Sequence, residues 1–149
     1  MIKKLSILLI IISNNALIAQ ENIKWIAFTE LSSSMRSTPK NVLIFIHTDW
    51  CKYCLMQSQT TFKDSSIIAA LNKDYYCLKL NPEDTSSIEF LGKTYQSNAN
   101  EHHQLAQFLV AKDGKITLPS TVLLNQQFQL INNFNSYLSV NDLSSILKK

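Results

Sequence analysis

The sequence predicts an α/β domain with a central mixed β-sheet flanked by helices, and three observations carry that reading. Apolar, strand-like runs alternate with segments of helical periodicity in the order β-α-β-α-β between residues 23 and 80, the pattern of a sheet built with crossover helices. Val42-Leu43-Ile44-Phe45-Ile46 is continuously apolar and β-branched or aromatic, as suits a central strand covered on both faces. Thr121 to Leu124 and Phe128 to Phe134 flank the polar turn Asn125-Gln126-Gln127, which adds an antiparallel hairpin and makes the sheet mixed.

The first nineteen residues differ from the remainder. Lys3 and Lys4 form a positive segment, Leu5 to Ile12 a short apolar one, and Ser13-Asn14-Asn15 interrupts it before Ala16-Leu17-Ile18-Ala19. This is the pattern of a secretory signal peptide, expected to be cleaved between Ala19 and Gln20 and to leave a domain of residues 20–149. A membrane span needs roughly 20 apolar residues, which the Ser-Asn-Asn interruption denies. Gln20, after the cut, is not a cysteine, so a lipid anchor is not indicated. The expected product is soluble and periplasmic or otherwise exported, without stable membrane insertion after cleavage.

Within the domain, Ile23 to Ala27 alternates as a short first strand. Phe28 to Arg36 carries Phe28, Leu31 and Met35 at helical spacing until Ser37-Thr38-Pro39 ends it. After the central strand, Leu55 to Thr61 reads as a helix and Ser65 to Asn72 as another, with Ile67, Ile68 and Leu71 on one side. Tyr75 to Leu80 is the next strand. Ile88 to Tyr95 reads as a small hairpin turning near Gly92. Glu101 to Ala111 places Leu105, Ala106, Leu109 and Val110 on a helical face, and Asp113-Gly114 is expected to stop that helix. Ser139 is a candidate N-cap for a closing helix whose Val140, Leu143, Ile146 and Leu147 face inward.

Composition supports one globular domain: of 149 residues 46% are hydrophobic and 17% charged, and two glycines and three prolines leave no linker. Removing Lys3 and Lys4 from the 14 basic residues leaves 12 against 11 acidic ones, a net charge of +1. Scattered charges of that balance offer no footprint for nucleic acid or an acidic membrane, and a monomer is expected. Three cysteines are too few for a disulfide scaffold, and the odd count leaves at least one thiol unpaired within the chain.

Two of the three stand in His47-Thr48-Asp49-Trp50-Cys51-Lys52-Tyr53-Cys54, directly after the central strand. The spacing admits a redox centre, a metal clip or a structural staple. At i and i+3 on the first turn of a helix both sulfurs lie on one side, close enough to close a small disulfide ring. The helix start favours the thiolate of the first cysteine, and Lys52, next to Cys51, would push the same way with its ammonium near the sulfur. A structural zinc site needs four ligands, and Cys77, His102 and His103 are the obvious extras; copper fits better, because His47 and Met56 lie nearby. A staple of so small a ring restrains little of the unfolded chain. Cys77, in a strand run, reads as a small buried hydrophobe, His47 as a strand-end residue near the site, and His102 and His103 as polar residues of a helix's first turn. Trp50 supplies a flat apolar wall beside the pair.

Taken together, Trp25, the strand Val42 to Ile46, Asp49-Trp50-Cys51-Lys52-Tyr53-Cys54, Thr61-Phe62-Lys63-Asp64 and Leu118-Pro119-Ser120-Thr121 resemble the thioredoxin family, in particular its exported bacterial branch with a WCxxC site. Phe90 to Tyr95 and His102 to Ala106 look like the extra hairpin and helix start of some exported members. The resemblance implies a thioredoxin fold with a small hairpin insertion and thiol–disulfide exchange with client proteins. It makes Cys51 the attacking and Cys54 the resolving cysteine, with Lys52 and Tyr53 modulating the redox poise. It further implies a cis Leu118-Pro119 peptide facing the pair, where Trp50, Leu118 and Pro119 bind substrate. No cofactor is implied; electrons pass to or from an unidentified redox partner protein. Two departures are clear: many members bury an Asp behind the disulfide, where this chain has Phe45, and reducing thioredoxins typically carry Gly-Pro between the cysteines, where this chain has Lys52-Tyr53. A copper-handling chaperone and a non-catalytic binding module on the same fold are the competing readings.

Overall fold

Five consecutive apolar residues leave a strand no polar face, and the sheet is built outward from them. The computed structural model describes residues 21–97, 102–110 and 112–148. The predicted signal segment therefore lies outside the described residues, as do Glu101 and Ala111, the predicted ends of the fourth helix. In chain order the elements are α1 (Phe28–Ser37), β1 (Asn41–Ile46), α2 (Lys52–Gln59), a 3₁₀ turn (Thr61–Lys63), α3 (Ser65–Asp74), β2 (Tyr75–Leu80), β3 (Ile88–Phe90), β4 (Lys93–Tyr95), α4 (Gln104–Val110), β5 (Ser120–Leu124), β6 (Leu130–Phe134) and α5 (Val140–Leu147).

The main sheet has the order β2-β1-β5-β6. β1 runs parallel to β2, from Asn41 beside Tyr75 to Ile46 beside Leu80. It runs antiparallel to β5, from Val42 beside Leu124 to Ile46 beside Ser120, and β6 returns antiparallel to β5. Side chains of a strand alternate between faces, so the run at 42–46 feeds two cores. Leu43 and Phe45 join Leu123, Ile67, Ile68, Leu71, Leu143 and both Cys51 and Cys54 on one face. Val42, Ile44 and Ile46 join Val122, Leu124, Leu31, Leu105 and Phe90 on the other. Every residue from Val42 to Ile46 is fully buried, which explains why that stretch of β1 carries no polar side chain.

The helices are held by local hydrogen bonds that fix where each begins. The Asp64 carboxylate accepts from the backbone N–H groups of Ser66 and Ile67 at the start of α3, and Ser139 and Asp142 form a reciprocal capping box at α5. Glu30 accepts from the Ala27 backbone N–H at 2.8 Å and anchors α1. Gln57, wholly buried on α2, donates to Thr121 Oγ1 at 3.3 Å and accepts from the Leu138 backbone N–H at 3.0 Å. Thr61 donates to the Leu138 carbonyl at 2.7 Å. These two polar side chains tie α2 and the turn after it to β5 and to the approach to α5.

Several details differ from expectation: His102 and His103 precede α4 instead of forming its first turn, and Phe128, at φ 58°, belongs to the turn before β6. Ile23 to Ala27 forms no strand: it contributes one parallel bridge, Trp25 to Cys77, because the Trp25 ring turns edge-on to Phe62 at 5.4 Å and α1 starts directly afterwards. α2 begins at Lys52, before the predicted Leu55, since Cys51 is its cap, and it ends at Gln59 with a 3₁₀ turn following. Asp113-Gly114 makes a tight turn rather than a helix stop. Both residues are left-handed, at φ 52° and 72°, and Lys112 and Lys115 exchange backbone hydrogen bonds of 3.0 Å across them. Leu91-Gly92, at φ 53° and 74°, turns the β3–β4 hairpin in the same primed geometry.

Candidate active site

Because β1 and β2 are parallel and β5 is antiparallel to them, Ile46, Leu80 and Ser120 stand side by side at one edge of the sheet. The segments 47–51, 81–87 and 117–119 converge there, at the carboxyl ends of the parallel strands where open α/β sheets place their sites. Residues Thr48 to Cys51 close a turn, with the Cys51 N–H donating to the Thr48 carbonyl at 3.3 Å. Cys51 and Cys54 are joined in a disulfide, their Cα atoms 5.2 Å apart.

Cys51 is the N-cap of α2, and its Sγ accepts from the Cys54 backbone N–H at 3.2 Å. A sulfur in that position faces the positive end of the helix dipole and a helix N–H group, both of which favour thiolate on reduction. Cys51 is 6% exposed and Cys54 1%. Lys52 and Tyr53, between them, are exposed. Trp50, 69% exposed, is steadied by its indole N–H donating to Glu83 Oε1 at 2.9 Å. The ring, adjoining Cys51 in the chain, is thus tethered to the 81–87 segment and stays open to solvent.

On the β5 side, the Leu118–Pro119 peptide is cis and Pro119 is buried. Leu118 packs against the core that contains both cysteines. Ile46 pairs with Ser120, the last pair of the ladder, so His47 leaves β1 at the same end of the sheet where Pro119 leads into β5. Ser120, itself buried, has its hydroxyl 2.6 Å from the Thr117 carbonyl oxygen, which fixes the bend into β5.

Behind the pair lies a column of rings. Phe45 meets Phe62 edge-on at 4.9 Å and stacks on His47 at 5.2 Å with 13° between planes. Lys79 places its ammonium 4.8 Å from the centre of the Trp25 ring. Burial lowers the His47 pKa below 6.5; the nearby Lys79 charge lowers it further, and Asp49 works against both. The folded state therefore binds a proton at His47 less readily than the unfolded chain, and stability is lost as pH falls below 6.5. Asp64, Asp84 and Asp142 accept hydrogen bonds from Ser66, Ser86 and Ser139 that lower their pKa values below 3.8, so their contribution is lost in a separate, more acidic window. Denaturant midpoints of the wild type are expected to fall as pH drops below 6.5 and before the carboxylates titrate. His47→Gln should flatten that part of the curve; an unchanged slope in this variant would contradict the assignment.

The predicted residues thus fall into two groups. Cys51, Cys54, Trp50, Leu118, Pro119, Lys52, Tyr53 and His47 gather at one sheet edge. Cys77 is 1% exposed in β2, and burial pushes its thiol up to about 12. His103 is wholly buried: its Nδ1 accepts from the Leu105 N–H at 3.1 Å, which leaves the proton on Nε2, 3.0 Å from the Ser86 carbonyl. It pins the 81–87 segment to the start of α4. Among the described residues no three His, Cys, Asp or Glu side chains assemble a metal site. Sequence reasoning missed Glu83, Gln57 and Thr48; only Glu83 had a signal, its place just past a parallel strand.

A CxxC disulfide capping a helix, at the carboxyl edge of a mixed sheet flanked by helices, defines a thiol–disulfide oxidoreductase. The chain belongs to the thioredoxin-like family, which matches residues 24–124. In fold it is similar to the DsbH oxidoreductase, at 14% identity over 92% of this chain and 90% of that one, with a TM-score of 0.61. It is also similar to a thioredoxin from Thermus thermophilus, at 13% identity over 85% of each chain and a TM-score of 0.60. A disulphide isomerase from Xylella fastidiosa Temecula1 shares 15% identity over 85% of this chain and 95% of its own, with a TM-score of 0.54. No curated protein matches the chain in sequence.

Proposed function

We propose that the chain is an exported enzyme that exchanges disulfides with client proteins through the Cys51-Lys52-Tyr53-Cys54 pair. The observation that carries this reading is the placement of Cys51 as the cap of α2 beside an exposed Trp50 and the cis Leu118–Pro119 peptide. In the dithiol form the Cys51 thiolate attacks a client disulfide; the client S–S bond breaks and one client sulfur leaves as thiolate. Cys54, deprotonated, then attacks the Cys51 sulfur of the mixed disulfide, and the second client thiolate leaves as the Cys51–Cys54 bond closes. The reverse sequence delivers the disulfide to a client dithiol. Trp50 and Leu118-Pro119 form the docking edge for an extended client segment, and a partner protein restores the starting redox state. Titration against glutathione measures the pair's potential, which sets the direction of net flow.

Export rests on Lys3 and Lys4, the apolar segment Leu5 to Ile12 and Ala19. Among the described residues no helix is long and apolar enough to cross a membrane. Protein recovered from the native cell envelope is expected to begin at Gln20 by intact mass and N-terminal sequencing. A chain retaining Met1 on the membrane would overturn the export reading while leaving the exchange chemistry intact.

A further inference from the structure

His103 is wholly buried, and the exchange chemistry makes no use of it. It grips the 81–87 segment at two points: its backbone N–H donates to the Pro82 carbonyl at 2.7 Å, and its ring Nε2 donates to the Ser86 carbonyl at 3.0 Å. The Leu105 N–H donates to Nδ1 at 3.1 Å, so the ring is oriented from the α4 side as well. Between the two gripped carbonyls stands Glu83, on the exposed stretch 83–87. Asn81 and Asp84 shape the segment by accepting from the Glu83 and Ser86 N–H groups at 2.9 and 3.1 Å. An indole has a single donor and no acceptor, and that of Trp50 goes to Glu83 Oε1 at 2.9 Å. A continuous chain of contacts therefore runs from a buried imidazole, through a surface turn, to the exposed ring that precedes Cys51.

We propose that His103 is a positioning residue for client docking: by clamping the 81–87 segment it fixes Glu83, and Glu83 presents the Trp50 ring at the docking edge. The inference rests on the exchange reading above and on Trp50 as part of its docking edge. An exposed ring without a tether moves among rotamers, and immobilising it when a client arrives costs binding energy. A charge-assisted bond from the indole N–H to a carboxylate restricts that freedom beforehand, provided the carboxylate is itself held. Surface connections are mobile unless something ties them down, and here the tie comes from a ring shielded from water. The Trp50–Glu83 bond is exposed, so it depends on the geometry that the clamp supplies. The clamp acts on docking, and the step between sulfurs is left to Cys51 and Cys54. Its loss is therefore read in KM and not in kcat.

The test measures exchange on a disulfide-bonded model protein with wild type, Glu83→Ala, Glu83→Gln, His103→Asn and the double variant Glu83→Ala/His103→Asn. Asparagine keeps an acceptor for the Leu105 N–H and the backbone bond to Pro82 but is too short to reach Ser86. Glu83→Ala should raise KM about threefold or more with kcat near wild type, and Glu83→Gln, which keeps an acceptor oxygen, should restore KM. His103→Asn should raise KM about twofold or more. The double variant should be no worse than Glu83→Ala alone, because both changes act through one bond. In ¹⁵N spectra the Trp50 indole signal, one of two in the chain and assigned by its loss in Trp50→Phe, should move in His103→Asn toward its position in Glu83→Ala. An unmoved KM or indole signal in His103→Asn, additive effects in the double variant, or a His103→Asn chain that fails to fold overturns the positioning role while wild-type exchange stands. A wild type without exchange overturns the exchange reading, and the positioning role falls with it.

Discussion

Cys54→Ser is expected to accumulate client proteins as mixed disulfides on non-reducing gels, whereas Cys51→Ser abolishes exchange and leaves no adducts. The asymmetry follows from where the helix begins. Cys51 caps α2 and its sulfur receives a backbone N–H, so its thiolate forms in a stabilising field. Cys54 lies one turn in, at 1% exposure against 6% for Cys51, where a client sulfur has no approach. Removing the resolving thiol leaves the first attack possible and the second not, so the intermediate is trapped. Removing the attacking thiol prevents the intermediate from forming. Cys77→Ser should leave exchange nearly intact, because burial holds that thiol protonated up to about pH 12. Faster alkylation of Cys54 than of Cys51, or loss of exchange in the Cys77 variant, would contradict these roles.

Phe45→Ala is expected to remove about 3–5 kcal/mol of stability, a large share of the roughly 5–15 kcal/mol of a typical domain. Phe45 is fully buried and is the ring on which Trp25, Phe62 and His47 converge, with centroids 4.9 to 6.4 Å away. Truncation leaves a cavity that α2 cannot collapse into, because Gln57 and Thr61 bind it to β5 and to Leu138. The measurement is the denaturant midpoint of the oxidised protein, with an unchanged m-value showing that stability rather than compactness has changed. A loss below about 1 kcal/mol would mean that the ring column is not a structural unit.

What was legible in the sequence was the part written locally. The run at 42–46 read as a strand because burial on both faces removes all polar positions, the run at 75–80 read so with Lys79 its one exposed position, and Ser139 read as a cap because Val140, Leu143, Ile146 and Leu147 follow it at helical spacing. The i and i+3 spacing of the cysteines suited the first turn of a helix, but the apolar pattern placed the start of α2 at Leu55, three residues past the observed one. The Ile23 to Ala27 segment looked like a strand because alternation persists even where only Trp25 makes a bridge. Asp113-Gly114 was misread because left-handed residues serve helix stops and tight turns alike. The contacts that complete the site join distant residues: Trp50 to Glu83 across 33 positions, Gln57 to Thr121 across 64 and Gln57 to Leu138 across 81. No periodicity marks such partners.

The central claim is that Cys51 and Cys54 exchange disulfides with protein substrates. Its most direct measurement is the rate at which the purified mature chain catalyses disulfide exchange on a model protein, run both as dithiol-driven reduction of a disulfide-bonded substrate and as oxidation of its reduced form. The wild type should accelerate at least one direction well above the uncatalysed rate, and Cys51→Ser should return that rate to background. A wild-type rate equal to background in both directions, or a Cys51→Ser variant as active as wild type, would contradict it.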